Sequence, residues 1–353
     1  MGQDLYKYLI IYLNDYLKTL RRVNPSPPKL ALPHQNLTFV KEAANYQDED
    51  LLKYYSKQWN RFTQAAEYLN RIFKYLNRHW VKRETDEGRK HVHEVYTLSL
   101  VRWQIELFSP IHEPLLGALL RMIEKGRNGD VIETTLLKEV IGSFVSMGQG
   151  EATSTPDKVN LEIYNNKFQE PFINATATYY QHESVNFLAT QSVVDYMIRA
   201  ETRLTEESTR VDLFLYSTTK KPLLQRCEEV LIKAHKEALE AEFQGLIDAD
   251  RQTDLKRLYS LLSKITPGLD VVKQKFEAHV RKAGLASVEK IAPPDGAIPE
   301  GKVYVDALLD VHKTYAALVQ NAFRGDAEFV KCLDNVPSLL RVWELMTGVQ
   351  GVC

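Results

Sequence analysis

The sequence predicts an all-α protein, an elongated series of helical bundles strung end to end. Three observations predict it. Apolar residues recur at spacings of three and four along most of the chain, the signature of amphipathic helices. Almost no segment alternates with period two between hairpin signals, so a sheet is not expected. The breaks between helices are mostly short, which favours antiparallel packing of neighbours into bundles.

The elements follow in order. Leu5, Leu9, Tyr12, Leu13, Tyr16 and Leu20 place one apolar face on a first helix. Residues 23–47 break the pattern with Pro25, Pro27, Pro28 and Pro33, and read as an extended connector. Helical periodicity returns at Asp48. Asp86-Glu87-Gly88, Ser109-Pro110, Asn128-Gly129-Asp130 and Gly148-Gln149-Gly150 punctuate the helices that follow, with Asp130 expected as an N-cap. After the polar stretch 151–158, a helix over about 160–183 carries Leu161, Tyr164, Phe168, Phe172, Ala175 and Tyr179, with Phe187 continuing the stripe. Further helices cover 193–216, begin at Pro222, and break at Pro267-Gly268. A Pro- and Gly-rich loop at 292–301 precedes a strongly helical 303–323. Breaks near 150 and within 265–300 divide the chain into 1–150, 151–265 and 266–353.

Composition narrows the function. Hydrophobic residues make up 44% of the 353, enough for a sizeable core, and the net charge of −1 gives no global attraction to nucleic acid or acidic membrane. The N-terminal helix is interrupted by Asp4, Lys7, Asn14, Asp15 and Lys18, unlike a secretory signal. Tyr6 stands where a myristoylation pattern wants Ser or Thr. No run of apolar residues is long enough to span a bilayer. Cys227, Cys332 and Cys353 form no CxxC pair, which suits a reducing compartment. A soluble intracellular protein, with no membrane partner, is expected.

Chemistry-bearing motifs are not found. There is no P-loop, Rossmann glycine pattern, GxSxG or HExxH. Asp48-Glu49-Asp50 sits at a helix start, where acidic charge complements the helix dipole. His79, His91 and His93 lack a completing Cys or carboxylate pattern, so no metal or other cofactor is expected. Cys227 and Cys332 lie in apolar helical surroundings and read as inert. No catalytic residue is assigned.

The segment 68–82 resolves on a helical wheel into three faces. Leu69, Phe73, Leu76 and Trp80 form a core stripe, and Arg71, Lys74, Arg78 and Lys82 a solvated basic face. Between them lie Tyr68, Ile72, Tyr75 and His79. This extra strip either packs a neighbouring helix or serves as a protein-binding shoulder, since Tyr and Arg supply much interface energy. The basic run Arg78, Lys82, Arg83, Arg89 and Lys90 is diluted by Glu84, Asp86, Glu87 and Glu94, so no nucleic-acid partner is expected.

At this point a resemblance enters. YLNRHWVKRETDEGRK at 75–90, then Val95-Tyr96-Thr97-Leu98 and Trp103, resemble the cullin family, of the cullin-1 type. Collinear matches follow at 120–129 (LRMIEKGRNG), 172–188 (FINATATYYQHESVNFL) and 196–206 (YMIRAETRLTE). They continue at 227–232 (CEEVLI), 242–250 (EFQGLIDAD), 284–289 (GLASVE) and 304–323 (YVDALLDVHKTYAALVQNAF). The resemblance implies an elongated stalk of stacked five-helix bundles, the cullin repeats. Its domains are a first repeat over 1–150 with the insertion 23–47, a second over 151–265 and a third over 266–353. It also implies a non-catalytic scaffold of a cullin-RING (SCF-type) ubiquitin ligase, cytoplasmic and nuclear. The tip would bind a Skp-family adaptor carrying an F-box protein, through Tyr75 and His79 with Tyr68 and Ile72 beside them. The family's first two helices, the C-terminal domain and hence a RING-subunit site are not matched, and the last twenty residues diverge. Weak adaptor binding and no RING subunit are therefore expected. A generic helical interaction scaffold, such as a tethering-complex subunit, is the alternative. Small-angle scattering checks the stalk: a radius of gyration near the roughly 20 Å of a compact globule of this length contradicts it.

Overall fold

A computed structural model describes residues 2–22, 48–89, 91–148, 160–291 and 301–334. The proline-rich segment 23–47, Lys90, the stretch 149–159, the loop 292–300 and the tail 335–353 with Cys353 lie outside the described residues. Among the described residues every regular element is a helix. The chain divides into two units, Met1–Thr176 with Ser208–Pro222, and Ala177–Glu207 with Leu223–Cys353.

In the first unit the Asp48–Ile72 helix packs against Val95–Trp103, Ser109–Arg127 and Thr134–Gly148. Its apolar stripe Leu52, Tyr55, Trp59, Phe62 and Ala66 is buried, at the spacing of three and four that one helical face requires. Trp103 fills the centre. Its ring lies 4.8 Å from Phe62, 5.4 Å from Trp59 and 5.9 Å from Tyr55. The Trp103 indole N–H donates to the Tyr55 hydroxyl at 3.4 Å, and that hydroxyl meets Ser143 Oγ at 2.9 Å. Burial pushes the Tyr55 phenol up to about 12. A second aromatic run, Phe108, Phe144, Phe168 and Phe172, continues the core with centroid spacings of 4.8, 6.0 and 5.4 Å.

The helix Gly2–Arg22 lies on Val95–Trp103, but on a different face from the one expected. Tyr6, Leu9, Leu13 and Leu17 are buried, whereas Leu5, Tyr12 and Tyr16 are 43%, 61% and 37% exposed. Leu9 and Leu13 belong to both stripes. The choice falls on Tyr6 because its hydroxyl meets both backbone groups of His93, donating to the carbonyl and accepting from the N–H, each at 3.0 Å.

Two punctuation marks also differ from expectation. Ser109-Pro110 does not separate helices: Val95–Trp103 passes through a π-helical turn, Gln104–Phe108, into Ser109–Arg127. The widened turn accommodates the ring and the missing N–H of Pro110, and the Ser109 hydroxyl donates to the Gln104 carbonyl at 2.8 Å. Asp130 is not an N-cap, since the next helix starts at Thr134. Its N–H instead closes the preceding helix end onto the Lys125 carbonyl at 3.1 Å, a turn made possible by Gly129 at φ +97°.

In the second unit, Asp270–Ile291 and Gly301–Ala322 pack together, with Ala327–Asp334 against both. Phe276, Phe323, Phe329 and Tyr259 form its aromatic centre, with Phe323 and Phe329 at 4.4 Å. The 252–262 helix ends in the loop that carries Gly268, where an added Cβ would stand 1.9 Å from the Leu262 carbonyl oxygen. Only glycine permits that approach. An internal ion cluster joins Glu183 to Arg203 at 2.5 Å and to Arg199 at 2.8 Å. Burial alone would raise the Glu183 carboxyl, but the two guanidiniums hold it below its ordinary range.

The helix around Phe172 corrects a further expectation. Glu162–Tyr164, a π-helical turn Asn165–Gln169 and Glu170–Thr190 follow one another, and Phe168, Phe172, Thr176, Tyr180 and Ser184 face inward. Ala175 and Tyr179 are only partly covered. A period of four from Phe168 leads through Thr176 and Ser184, small polar residues that an apolar count passes over. Thr176 is held by donating to the Phe172 carbonyl at 2.7 Å while accepting from Arg127 at 2.6 Å.

Candidate functional site

The YLNRHW segment belongs to a broken helix at the end of Asp48–Ile72. Phe73 leaves helical geometry, with φ −87° and ψ 19°. Lys74–Leu76, a π-helical turn Asn77–Val81 and Lys82–Asp86 follow. The turn inserts one residue into the helical count. As a result the inward positions are Leu76, Asn77, Val81 and Glu84, at 5%, 8%, 2% and 4% exposure. Of the expected core stripe only Leu76 is buried; Leu69, Phe73 and Trp80 are half-buried. Trp80 is displaced by the extra residue onto the first helix, where its ring lies 4.8 Å from Tyr6 and against Gly2.

The inward asparagines have a role that their residue type signals only weakly. Asn77 Nδ2 donates to Asn70 Oδ1 at 2.8 Å. Asn77 Oδ1 accepts from the Val95 N–H at 3.1 Å, and Asn70 Oδ1 from the Tyr96 N–H at 3.2 Å. These two N–H groups open the Val95–Trp103 helix and have no partner inside it. Two side chains one heptad apart thus cap the following helix from outside it. Glu84, nearly buried, pairs with Arg83 at 3.2 Å and also with Arg89, closing the turn after the motif.

The third strip faces outward. Tyr68, Ile72 and Tyr75 are 65%, 73% and 76% exposed, and His79 is exposed as well. The structure brings all four onto one side, over about 16 Å of helix. Tyr75 and His79 lie against each other with ring centroids 4.2 Å apart and planes tilted by 39°, and the Arg71 guanidinium lies 5.8 Å from the centre of the Tyr68 ring. Tyr68, Tyr75 and His79 therefore each lean on a neighbour and lose less freedom on binding. A row of large apolar and aromatic groups left in water is the composition of an interface centre, and Tyr is prominent among interface hot spots. Among the described residues no neighbouring helix covers Tyr68, Ile72 or Tyr75.

Other candidates do not assemble. His91 and His93 follow the motif helix, but among the described residues no three His, Cys, Asp or Glu side chains form a metal-holding group. Cys227 is buried. Burial pushes the Cys332 thiol above its ordinary range, away from the thiolate that a nucleophile requires. No described helix is long and apolar enough to cross a membrane.

Comparison with known proteins identifies the family. The Cullin alpha solenoid domain matches residues 1–338. "Cullin-1" of Dictyostelium discoideum is 42% identical over 334 residues, covering 95% of this chain and 40% of that protein. "Cullin-1" of Schizosaccharomyces pombe is 37% identical over 336 residues, 95% of this chain and 41% of the relative. "Cullin-1" of Caenorhabditis elegans is 36% identical over 303 residues, 84% and 39% respectively. The chain thus spans about two fifths of the length of the curated relatives it matches. With an all-helical fold among its described residues and a family match over nearly its whole length, the chain belongs to the cullin family.

Proposed function

We propose that this chain is the adaptor-binding part of a non-catalytic scaffold in an SCF-type cullin-RING ubiquitin ligase, acting in ubiquitin-dependent protein degradation in cytoplasm and nucleus. One observation carries the reading: the YLNRHW helix of a cullin-family chain holds Tyr68, Ile72, Tyr75 and His79 in water as a continuous strip. The partner is a Skp-family adaptor carrying an F-box protein. Its binding face would bury Tyr75 and His79 at the centre, with Tyr68 and Ile72 along the edge. A scaffold of this kind contributes to rate by holding substrate and conjugating enzyme near each other, which requires no nucleophile of its own. The two described cysteines, one buried and one with a raised thiol, are consistent with that role. Residues 1–353 engage the adaptor and not the RING subunit.

Titration calorimetry of the 353-residue chain with purified adaptor–F-box complex tests the reading. Heat of association with one-to-one stoichiometry is expected, and none with a RING subunit. A chain that gives no association with the adaptor complex while retaining its helical spectrum overturns it.

A further inference from the structure

A groove of about 740 Å³ runs along the motif helix beside the aromatic strip. One wall carries Arg71, Lys74, Arg78 and Lys82, spaced by three and four residues. Asn70 and Asn77 line it as well, and Asp86 and Glu94 stand where the chain turns back after the helix. We propose that this groove binds an acidic peptide segment of a partner protein, as a second contact surface separate from the Tyr75–His79 strip.

Charge is the first argument. Among the described residues, none of the four cations has a carboxylate within ion-pair distance. The neighbouring Arg83 and Arg89, by contrast, both pair with Glu84. Elsewhere in the same unit Arg121 pairs with Asp48 and Lys53 with Glu49. The groove thus gathers four cations without a counter-charge side by side in a concavity, where field lines concentrate.

Spacing is the second argument. Side chains three and four apart on a helix stand about 5–6 Å from one another. In an extended peptide, residues on one face repeat about every 6.6 Å. Carboxylates at alternate positions of an extended segment therefore come into register with the row, and the row's roughly 16 Å length accommodates about five residues. A nucleic acid fits less well. Its charge is uniform, and it would meet Asp86 and Glu94 at one end, whereas a peptide can place an uncharged or basic residue there.

The experiment uses the full 353-residue chain and a fluorescein-labelled Glu-Ser-Glu-Leu-Glu-Ser-Glu peptide, read by fluorescence anisotropy. Saturable binding that weakens with added salt is expected. The pair Lys74→Glu and Arg78→Glu should weaken it by at least about tenfold. The neutral pair Lys74→Gln and Arg78→Gln should weaken it less, which keeps the test usable if the reversal disturbs folding. The pair Lys7→Glu and Lys57→Glu, with the same net charge, should bind as the parent does. So should the Tyr75→Ala and His79→Ala pair. A single-stranded oligonucleotide of equal charge should bind more weakly than the peptide. Absence of peptide binding overturns the proposal. So does equal loss in the Lys7/Lys57 control, unchanged affinity in both groove variants, loss in the Tyr75/His79 variant, or tighter binding of the oligonucleotide.

Discussion

Replacing Tyr75 and His79 together by alanine is expected to weaken binding of the adaptor–F-box complex by about 2–4 kcal/mol, roughly 30- to 900-fold, while leaving stability nearly unchanged. Both rings are exposed and lie against each other at a tilt, with centroids 4.2 Å apart. Their removal therefore opens no cavity, and surface substitutions away from cores and caps typically shift stability by no more than about 0.5 kcal/mol. Neither lies in the hydrogen-bonded Asn70–Asn77 pair that holds the helix in place. Calorimetry for affinity and chemical denaturation for stability separate the two effects. A double variant that loses several kcal/mol of stability would show that the strip is structural, and a fully stable variant with unchanged affinity would remove it from the adaptor surface.

The largest effect on stability is expected at Trp103. Trp103→Ala should cost about 3–5 kcal/mol, because the site is closed on every side and cannot collapse around the void. The substitution also removes the N–H that donates to Tyr55. Trp80→Ala should cost clearly less, although both are tryptophans in the same unit. Trp80 is only half-buried and rests against Tyr6 and Gly2, so part of its volume is replaced by water. Denaturant midpoints of the two variants, measured at unchanged slope, give the comparison directly. Equal losses would mean that the first helix seals Trp80 as completely as the core seals Trp103.

The helical class was legible because amphipathic spacing survives local irregularity. Faces were harder to assign. On the first helix, Leu9 and Leu13 were shared between two possible stripes, and a single hydroxyl, that of Tyr6, tipped the helix towards one of them. In the motif helix a constant 100° per residue assigned Trp80 to the core. The π-helical turn at Asn77–Val81 broke that count, and no residue type announces such a turn in advance. The outward strip survived the shift because three of its four members precede or lie at the start of the break. Asn70 and Asn77 were legible only as polar residues. Their capping role depends on a helix that begins at Val95, and that juxtaposition exists only in three dimensions. Asp130 failed for a simpler reason: several positions in its loop could have opened the next helix, and the chain used one further on.

The asparagine pair also bears on how fast a partner could be exchanged. By fixing the motif helix to the start of the Val95–Trp103 helix, it holds the backbone beneath Tyr75 and His79 in a single geometry. If the proposed adaptor binds there, encounter would require no slow rearrangement of the scaffold, and the association rate would be set by diffusion and orientation. Affinity differences among competing adaptor complexes would fall on their residence times. A scaffold surface of this kind behaves as a rigid berth: one occupant can leave and another arrive without any intervening refolding, and the occupant that stays longest prevails.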